Sequence, residues 1–163
     1  MAKVEAVIAM GSNLGDRGEH IKAAFEQLGA VAGITPIALS PIVESYALTE
    51  SGYDETKPRY LNAVAIVKTS LKPKPLLSAL QAIESEHGRV RIERWGSRTL
   101  DLDIVTYGSE LKASKELTIP HPRAYQRPFV LMPWLALDPN AVLPGHGPVA
   151  QIDAASSTEV WFL

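Results

Sequence analysis

The order of strand and helix patterns along the chain predicts an α+β fold. Residues 3–10 alternate apolar with other side chains, as a strand does, and residues 21–28 repeat apolar side chains at helical spacing. Two extended segments follow, and then a second helical pattern over 73–87 and a strand over 99–107. Strand, helix, strand, strand, helix, strand is the order of the ferredoxin-like βαββαβ sandwich. The chain beyond about residue 108 is expected to form C-terminal additions to it.

Each predicted element in the first part of the chain ends at a recognisable signal. The first strand runs into the turn-rich segment 11–15, and Asp16 stands at a helix N-cap position with a glutamate three residues later, as in a capping box. Glycines within 29–33 end that helix. The segment 34–48 is predicted to be extended and to be broken or bent near Pro36 and Pro41. The least apolar stretch, 49–59, is predicted to be a mobile surface loop.

The second part of the chain contains the remaining predicted elements. Residues 60–69 are rich in β-branched and alternating side chains, which predicts a strand. Pro73 suits the first turn of the second helix, and Gly88 ends it. After the strand over 99–107, a short helix is predicted over 129–137, and the Asp138-Pro139 pair ends it.

Length and composition limit the functions that the chain can have. Its 163 residues fit one domain, so we expect residues 1–163 to form a single unit. It has no cysteine, which excludes disulfides, thiolate metal sites and cysteine nucleophiles. A net charge of −2 argues against a broad nucleic-acid surface. Without a signal-peptide pattern or a long apolar run, we expect a cytoplasmic protein that has no membrane partner.

A pair of acidic residues, Asp101 and Asp103, lies in the last predicted strand. Strand alternation puts both carboxylates on one face, with Cα atoms about 7 Å apart. Such like charges repel unless a cation lies between them, and Mg²⁺ is usually held by one or two carboxylates together with substrate phosphates. The alternative is a solvated polar face on an edge strand.

Four arginines stand immediately before the acidic pair. Arginine guanidinium groups match phosphate oxygens in two-point contacts, so arginines beside magnesium-binding carboxylates indicate a phosphoryl-transfer site. Trp95 and nearby glycines favour a loop that closes over a ligand. The alternative is a surface loop of ordinary salt bridges. The arginines are Arg89, Arg91, Arg94 and Arg98.

Two further features could contact a ligand, and a third is weak. His121, Arg123 and Arg127 lie on a proline-stiffened segment and could reach phosphates, although a rigid turn would explain the prolines equally well. Tyr60 and Asn62 share a strand face, and such an aromatic and amide could bind a flat heterocycle. The segment 11–15 matches neither a Walker A loop nor a dinucleotide-binding loop.

Taken together, these segments resemble the 6-hydroxymethyl-7,8-dihydropterin pyrophosphokinase family of folate biosynthesis. The most specific match is the run Arg-Trp-Gly-x-Arg-Thr-Leu-Asp-Leu-Asp over 94–103. Shorter matches follow the family's order and spacing, at 11–15, 60–63, 81–84, 88–91, 117–123 and 127–129.

The resemblance implies that the chain transfers the pyrophosphate of ATP to the hydroxymethyl group of the pterin and releases AMP. It implies two Mg²⁺ ions, held by Asp101 and Asp103, with ATP as co-substrate. The residues implied in catalysis are Arg91, Arg98, Asp101 and Asp103. Those implied in ATP binding are Gln81, Glu84, Arg91, Arg98, His121 and Arg127. Those implied in pterin binding are Tyr60, Asn62, Trp95, Asp101 and Phe129.

One segment departs from the family. Relatives often have proline and glycine in the loop after the second strand, which helps to cap the pterin, whereas residues 44–52 read Glu-Ser-Tyr-Ala-Leu-Thr-Glu-Ser-Gly. No capping contact is therefore carried over to them. The family also implies a monomer.

Two other functions fit parts of the sequence. An RNA-binding sheet face is disfavoured because two aspartates would repel the RNA backbone. A different reaction of magnesium-bound nucleotides would fit the acidic pair and the arginines, but it would not account for Tyr60, Asn62 and Phe129.

Overall fold

The computed structural model describes residues 3–13, 16–88 and 100–163. In these residues the chain forms a mixed α/β structure with an antiparallel sheet and three α-helices. None of these helices has the length and apolar character needed to cross a membrane. The elements in chain order are β1 (Val4–Ser12), α1 (Arg17–Gly29), β2 (Ile34–Leu39), β3 (Val43–Ser45), β4 (Ala47–Thr49), β5 (Gly52–Asp54), β6 (Tyr60–Thr69), α2 (Pro73–Gly88), β7 (Asp101–Tyr107), β8 (Lys112–Ala113), β9 (Thr118–Ile119), α3 (Pro128–Leu137), β10 (Val142–Leu143), β11 (Gly147–Pro148) and β12 (Val160–Phe162).

The main sheet is built around β1. Its strand order is β12-β3-β6-β1-β7, and β2 also pairs with β6. All nine residues of β1 pair with β6, from Val4 opposite Thr69 to Ser12 opposite Leu61. On its other side β1 pairs with β7, with a register shift after Val7. Gly11 consequently has a partner on each neighbouring strand.

The two faces of this sheet are covered by different helices. On one face, the buried side chains of β1, such as Ile8 and Met10, pack with α1 and α2, which contribute Ile21 and Leu80. On the other face, Val64 and Val105 of the sheet pack with Leu131 and Trp134 of α3. Alternation along the strands sends successive side chains to the two cores. The face that carries α3 also carries the candidate site.

The predicted extended segment 34–48 is extended, with a register shift just after Pro36 and a break around Pro41, as expected. Residues 34–48 form three separate strands, and the predicted surface loop over 49–59 contains half of a β4–β5 hairpin. Gly52 begins β5 with a φ of +103°, a conformation that suits glycine, and its carbonyl accepts a hydrogen bond of 2.8 Å from Thr49 Oγ1. The strand β12, which joins the main sheet beside β3, was not predicted.

His20 of α1 and His87 of α2 contact each other between the two helices. The Nδ1 atoms of His20 and His87 lie 2.7 Å apart, and the rings meet edge to face with centroids 4.9 Å apart. Nε2 of His87 lies 2.8 Å from Gln27 Oε1. Burial, and then the proximity of His20, lowers the pKa of His87 from its usual value of 6.5. The packing of the two helices therefore brings together residues that are 67 positions apart in the sequence.

We expect the His87→Gln variant to lose less stability in acid than the wild type. Because the pKa of His87 is lower in the folded chain, the unfolded chain binds more protons as the pH falls below about 6.5, and stability decreases. The His87→Gln substitution removes the contribution of this group to the loss of stability in acid. Urea denaturation at about pH 7 and about pH 5 measures the change in the free energy of unfolding. The prediction is contradicted if the free energy of unfolding falls by the same amount between the two pH values in the variant and in the wild type.

Candidate active site

A cleft with a volume of about 190 Å³ opens on the α3 face of the main sheet. Its walls come from β1, β6, β7 and α3 and from the chain around the end of β3. Side chains far apart in sequence meet there, and most of those predicted from the sequence in the described ranges are among them. The predicted residues that line the cleft are Tyr60, Asn62, Asp101, Asp103, Arg127 and Phe129.

Gly11 allows two of these residues to lie side by side. It pairs with Asn62 on β6 and with Asp101 on β7. A Cβ atom at position 11 would lie 2.6 Å from Asn62 Oδ1, so close that the amide would have to shift. Asn62 is buried, with only 8% of the residue exposed. Gly11, which lies in β1, therefore allows the Asn62 amide to approach the floor of the cleft closely.

The acidic pair faces two side chains that can carry positive charge. Asp103 Oδ2 lies 3.9 Å from His121 Nε2 and 4.0 Å from Arg127 Nη1. Asp103 is half exposed to the cleft, with 46% of its side chain accessible. These separations are at the outer limit for ion pairs. Both His121 and Arg127 can therefore turn towards an additional anion without losing a strong contact.

The ring of His121 has a defined orientation. Its backbone N–H donates to Val105 O over 2.9 Å, which fixes this loop to β7. Its Nδ1 accepts a hydrogen bond of 3.2 Å from the backbone N–H of Arg123, so the hydrogen of the neutral ring is on Nε2. Burial lowers the pKa of His121; the nearby arginines lower it further, while Asp103 raises it. The ring therefore presents an N–H donor on its Nε2, the atom near Asp103, even when it is neutral.

Arg127 connects the acidic pair with the aromatic wall. Burial lowers the pKa of Arg127, while the opposite charge of Asp103 raises it. A guanidinium group nevertheless stays charged at neutral pH. Its Cζ lies 5.6 Å from the centre of the Phe129 ring, within the range of a cation–π contact. The residue thus places positive charge at the boundary between a polar and an apolar part of one cleft.

Glu84 contacts the strand that carries the acidic pair. Its Oε2 accepts a hydrogen bond of 2.7 Å from the backbone N–H of Leu102, which lies between the two aspartates. This contact joins α2 to β7 at the edge of the sheet. Gln81, about one helical turn earlier in α2, is exposed. Contact of either side chain with a nucleotide stays a prediction.

The donor atoms of the cleft fit a magnesium ion that is bound together with a phosphate. Asp101 and Asp103 offer two hard carboxylate ligands on one face of one strand. Across residues 3–13, 16–88 and 100–163, no group of three or more histidines or acids could hold a metal on its own. Mg²⁺ usually takes one or two protein carboxylates and completes its shell with water and substrate phosphates. The acidic pair therefore fits that ion with substrate present.

The arginine-rich segment lies outside the described residues. Residues 89–99 contain three residues expected to act at the site, namely Arg91, Trp95 and Arg98. Their roles stay predictions, as does closure of this segment over the ligands.

The cleft also contains residues that the sequence interpretation missed. Ser45, Tyr46 and Leu48 line it, and all three belong to segment 44–52, for which no contact was carried over. The local sequence signal for a ligand contact here is the aromatic side chain of Tyr46, which directly follows β3. Their position depends on the pairing of Ser45 with Tyr60 across β3 and β6, which no local pattern reveals.

Comparison with protein families gives one clear match. A sequence model of the family described as 7,8-dihydro-6-hydroxymethylpterin-pyrophosphokinase matches residues 7–139. A 2-amino-4-hydroxy-6-hydroxymethyldihydropteridine pyrophosphokinase from Synechocystis is 38% identical over 158 residues, which cover 96% of this chain and 78% of the relative. An enzyme of the same name from Haemophilus influenzae is 39% identical over 149 residues, or 91% of each chain.

Solved structures with a similar fold include two HPPK-DHPS proteins. One, in complex with substrates, superposes with a TM-score of 0.70 at 12% identity and covers 95% of this chain. The wild-type protein of Plasmodium falciparum, with pterin and p-hydroxybenzoate, superposes with a TM-score of 0.67 at 13% identity and covers 93% of this chain. This chain spans 43% and 42% of their lengths. At these identities the likeness shows the fold alone.

Proposed function

Because this chain belongs to the 7,8-dihydro-6-hydroxymethylpterin-pyrophosphokinase family, we infer how its cleft performs the reaction of that family. The reaction transfers the pyrophosphate of ATP to 6-hydroxymethyl-7,8-dihydropterin and gives AMP and the pterin diphosphate, a step of folate biosynthesis. ATP is the co-substrate. The observation that carries the assignment of the site is the meeting of an aromatic and amide wall with an acidic pair and Arg127 in one cleft, with His121 near Asp103.

We propose that the pterin ring binds between Tyr60 and Phe129 and that Asn62 hydrogen-bonds its edge. Asp101 and Trp95 complete the set of proposed pterin contacts. The cleft volume supports this assignment, because about 190 Å³ is small beside the roughly 300–1,000 Å³ of pockets for drug-sized ligands. A flat bicyclic ring suits such a volume better than a whole nucleotide does.

The triphosphate is proposed to lie beside the acidic pair. His121 and Arg127 donate hydrogen bonds to its oxygens, Gln81 and Glu84 lie towards the nucleotide, and Arg91 and Arg98 add charge from the segment that precedes β7. Two Mg²⁺ ions held by Asp101 and Asp103 would neutralise phosphate charge there. The proximity of His121 and Arg127 to Asp103, at 3.9 and 4.0 Å, supports the placement of these two residues.

The proposed mechanism consists mainly of positioning and charge stabilisation. The pterin hydroxyl oxygen bonds to the β-phosphorus of ATP, the bond from that phosphorus to the α,β-bridging oxygen breaks, and the hydroxyl proton is lost. AMP leaves with the bridging oxygen. Arg127 and His121 stabilise the charge that grows on the phosphate oxygens, and Tyr60 and Phe129 hold the hydroxymethyl group in line. We assign no general base.

We further propose that residues 1–163 form a single pyrophosphokinase domain of the ferredoxin-like type. The order β7-β1-β6-β2, with α1 and α2 on one face, supports this arrangement. We propose that the domain acts as a monomer in the cytoplasm, where ATP is available, and without a nucleic-acid or membrane partner.

One assay tests the proposed reaction. The protein is incubated with Mg²⁺, ATP and 6-hydroxymethyl-7,8-dihydropterin, and the nucleotides are then separated. AMP that forms in equal amount with the pterin diphosphate supports the reaction. Formation of ADP, or no turnover with a folded protein, contradicts it.

The Gly11→Ala variant is expected to weaken pterin binding with little effect on ATP. The new methyl group would displace the Asn62 amide, whose Oδ1 would otherwise lie 2.6 Å from it. Losing one or two hydrogen bonds to the ring should raise the KM for the pterin about tenfold. Steady-state kinetics with each substrate varied in turn measures this.

Gly18→Ala serves as the matched control, because a Cβ at position 18 meets no atom within 4 Å. If Gly11→Ala and Gly18→Ala have the same KM for the pterin, Asn62 is not held at the cleft by Gly11.

A further inference from the structure

The C-terminal strand β12 lies directly behind one wall of the cleft. It pairs antiparallel with β3, so that Trp161 is opposite Glu44 and Val160 is opposite Ser45. Ser45 lines the cleft and pairs in turn with Tyr60 on β6. Because β3 has only three residues, its own ladder gives few contacts to hold this wall in place.

Glu44 collects three contacts from separate parts of the chain. The indole Nε1–H of Trp161 donates to Glu44 Oε1 over 3.3 Å. Nη2 of Arg17, from the first turn of α1, lies 3.4 Å from Glu44 Oε2, and Nη1 of Arg59 lies 3.7 Å from Oε1. The Glu44 side chain is only 14% exposed, so its interactions are less screened by water than those on an open surface.

Arg59 extends these contacts to the cleft wall. Its Cζ lies 5.2 Å from the ring centre of Tyr46 and 5.4 Å from that of Trp161. These two rings meet edge to face, with centroids 5.3 Å apart. Nη1 of Arg17 donates to the backbone oxygen of Arg59 over 2.8 Å, one residue before Tyr60. The same group of side chains therefore holds both strand ends that flank the wall.

We propose that Arg17, Glu44, Arg59 and Trp161, here called the rear clamp, position the cleft wall formed by Ser45, Tyr46 and Tyr60 for pterin binding. None of the four lines the cleft, so they are positioning residues. The rear clamp fixes the backbone of β3 and the start of β6 from behind, and the cation–π and edge-to-face contacts orient the Tyr46 ring. This proposal rests on the assignment of the cleft to the pterin.

The test compares Trp161→Leu with Phe162→Leu. These aromatic residues are neighbours in β12 and point to opposite faces of the strand, and Phe162 is 46% exposed. Trp161→Leu removes the hydrogen bond and both ring contacts, so the KM for the pterin should rise about tenfold. The KM for ATP should stay within about twofold, because only pterin contacts are displaced. Phe162→Leu should change neither KM by more than about twofold.

Two more conservative variants keep the test decisive if Trp161→Leu folds poorly. Trp161→Phe retains a ring for Tyr46 and Arg59 but loses the N–H donor, and Arg59→Lys retains the charge but loses the planar group. Each should raise the KM for the pterin by a few fold and leave the KM for ATP unchanged. The proposal is overturned if neither changes the KM for the pterin, or if the KM values for both substrates rise together with loss of thermal stability.

The Phe129→Ala variant separates failure of the rear clamp from failure of the pterin assignment. If Phe129→Ala raises the KM for the pterin and the Trp161 variants do not, the rear clamp is wrong and the pterin assignment stands. If none of these variants raises it, the pterin binds elsewhere, and both proposals fail.

Discussion

The Asp103→Asn variant should lose at least about a thousandfold in kcat while its thermal unfolding midpoint stays close to that of the wild type. Asparagine keeps the shape of the side chain but removes the charge that would hold Mg²⁺ and the phosphates. Stability should change little because the Asp103 side chain is half exposed and its ion pairs, at 3.9 and 4.0 Å, are at the limit of contact. Asp101→Asn should lose activity to a similar extent.

The measurement is AMP release at a series of Mg²⁺ concentrations, combined with thermal unfolding of each variant. Glu116→Gln is the control, because it removes an exposed carboxylate that pairs with Lys74 outside the cleft. It should leave the rate unchanged. Near-normal turnover of either aspartate variant at low Mg²⁺ would show that the acidic pair does not hold the metal.

The Arg127→Ala variant should have the second largest effect, because it changes both parts of the cleft at once. It removes a charge proposed to stabilise the transferring phosphate and the group that lies over Phe129. We expect a decrease in kcat of about a hundredfold or more and higher KM values for both substrates. This pattern differs from that of the rear-clamp variants, for which only the KM for the pterin should change.

Arg127→Lys distinguishes charge from shape. Lysine keeps a positive charge but cannot make a planar two-point contact with phosphate or stack equally well on Phe129. We expect intermediate activity, measured by the same kinetics. If Arg127→Lys and Arg127→Ala are equally impaired, the planar group is essential and charge alone is insufficient. Full activity of Arg127→Ala would remove Arg127 from the proposed site.

Much of the fold and of the candidate site can be predicted from the sequence, because both depend on short periodic patterns. The alternation along 3–10 and 60–69 predicts two strands that the structure contains, and the helical spacing over 73–87 predicts α2 almost to the residue. The same alternation places Asp101 and Asp103 on one face, and both line the cleft. Such predictions need only the geometry of a single element.

The features that were missed depend on contacts between distant segments. The pair formed by His20 and His87 requires α1 and α2 to pack together, and Trp161 meets Glu44 across 117 positions. Nothing near residue 161 indicates which strand it will pair with. The strand β3 is also too short for its alternation to distinguish it from a loop.

The pairing of β1 with both of its neighbours fixes the distance between side chains on β6 and β7. Asn62 and Asp101 pair with Gly11 from opposite sides, so two strand spacings, about 10 Å in all, separate the amide proposed to bind the pterin edge from Asp101 of the acidic pair. A one-residue insertion or deletion near Gly11 would shift the register of β1, so that the side chains of the opposite face would point into the cleft. Natural variation in chain length should therefore accumulate in the connecting loops, while the length of the central strand stays constant.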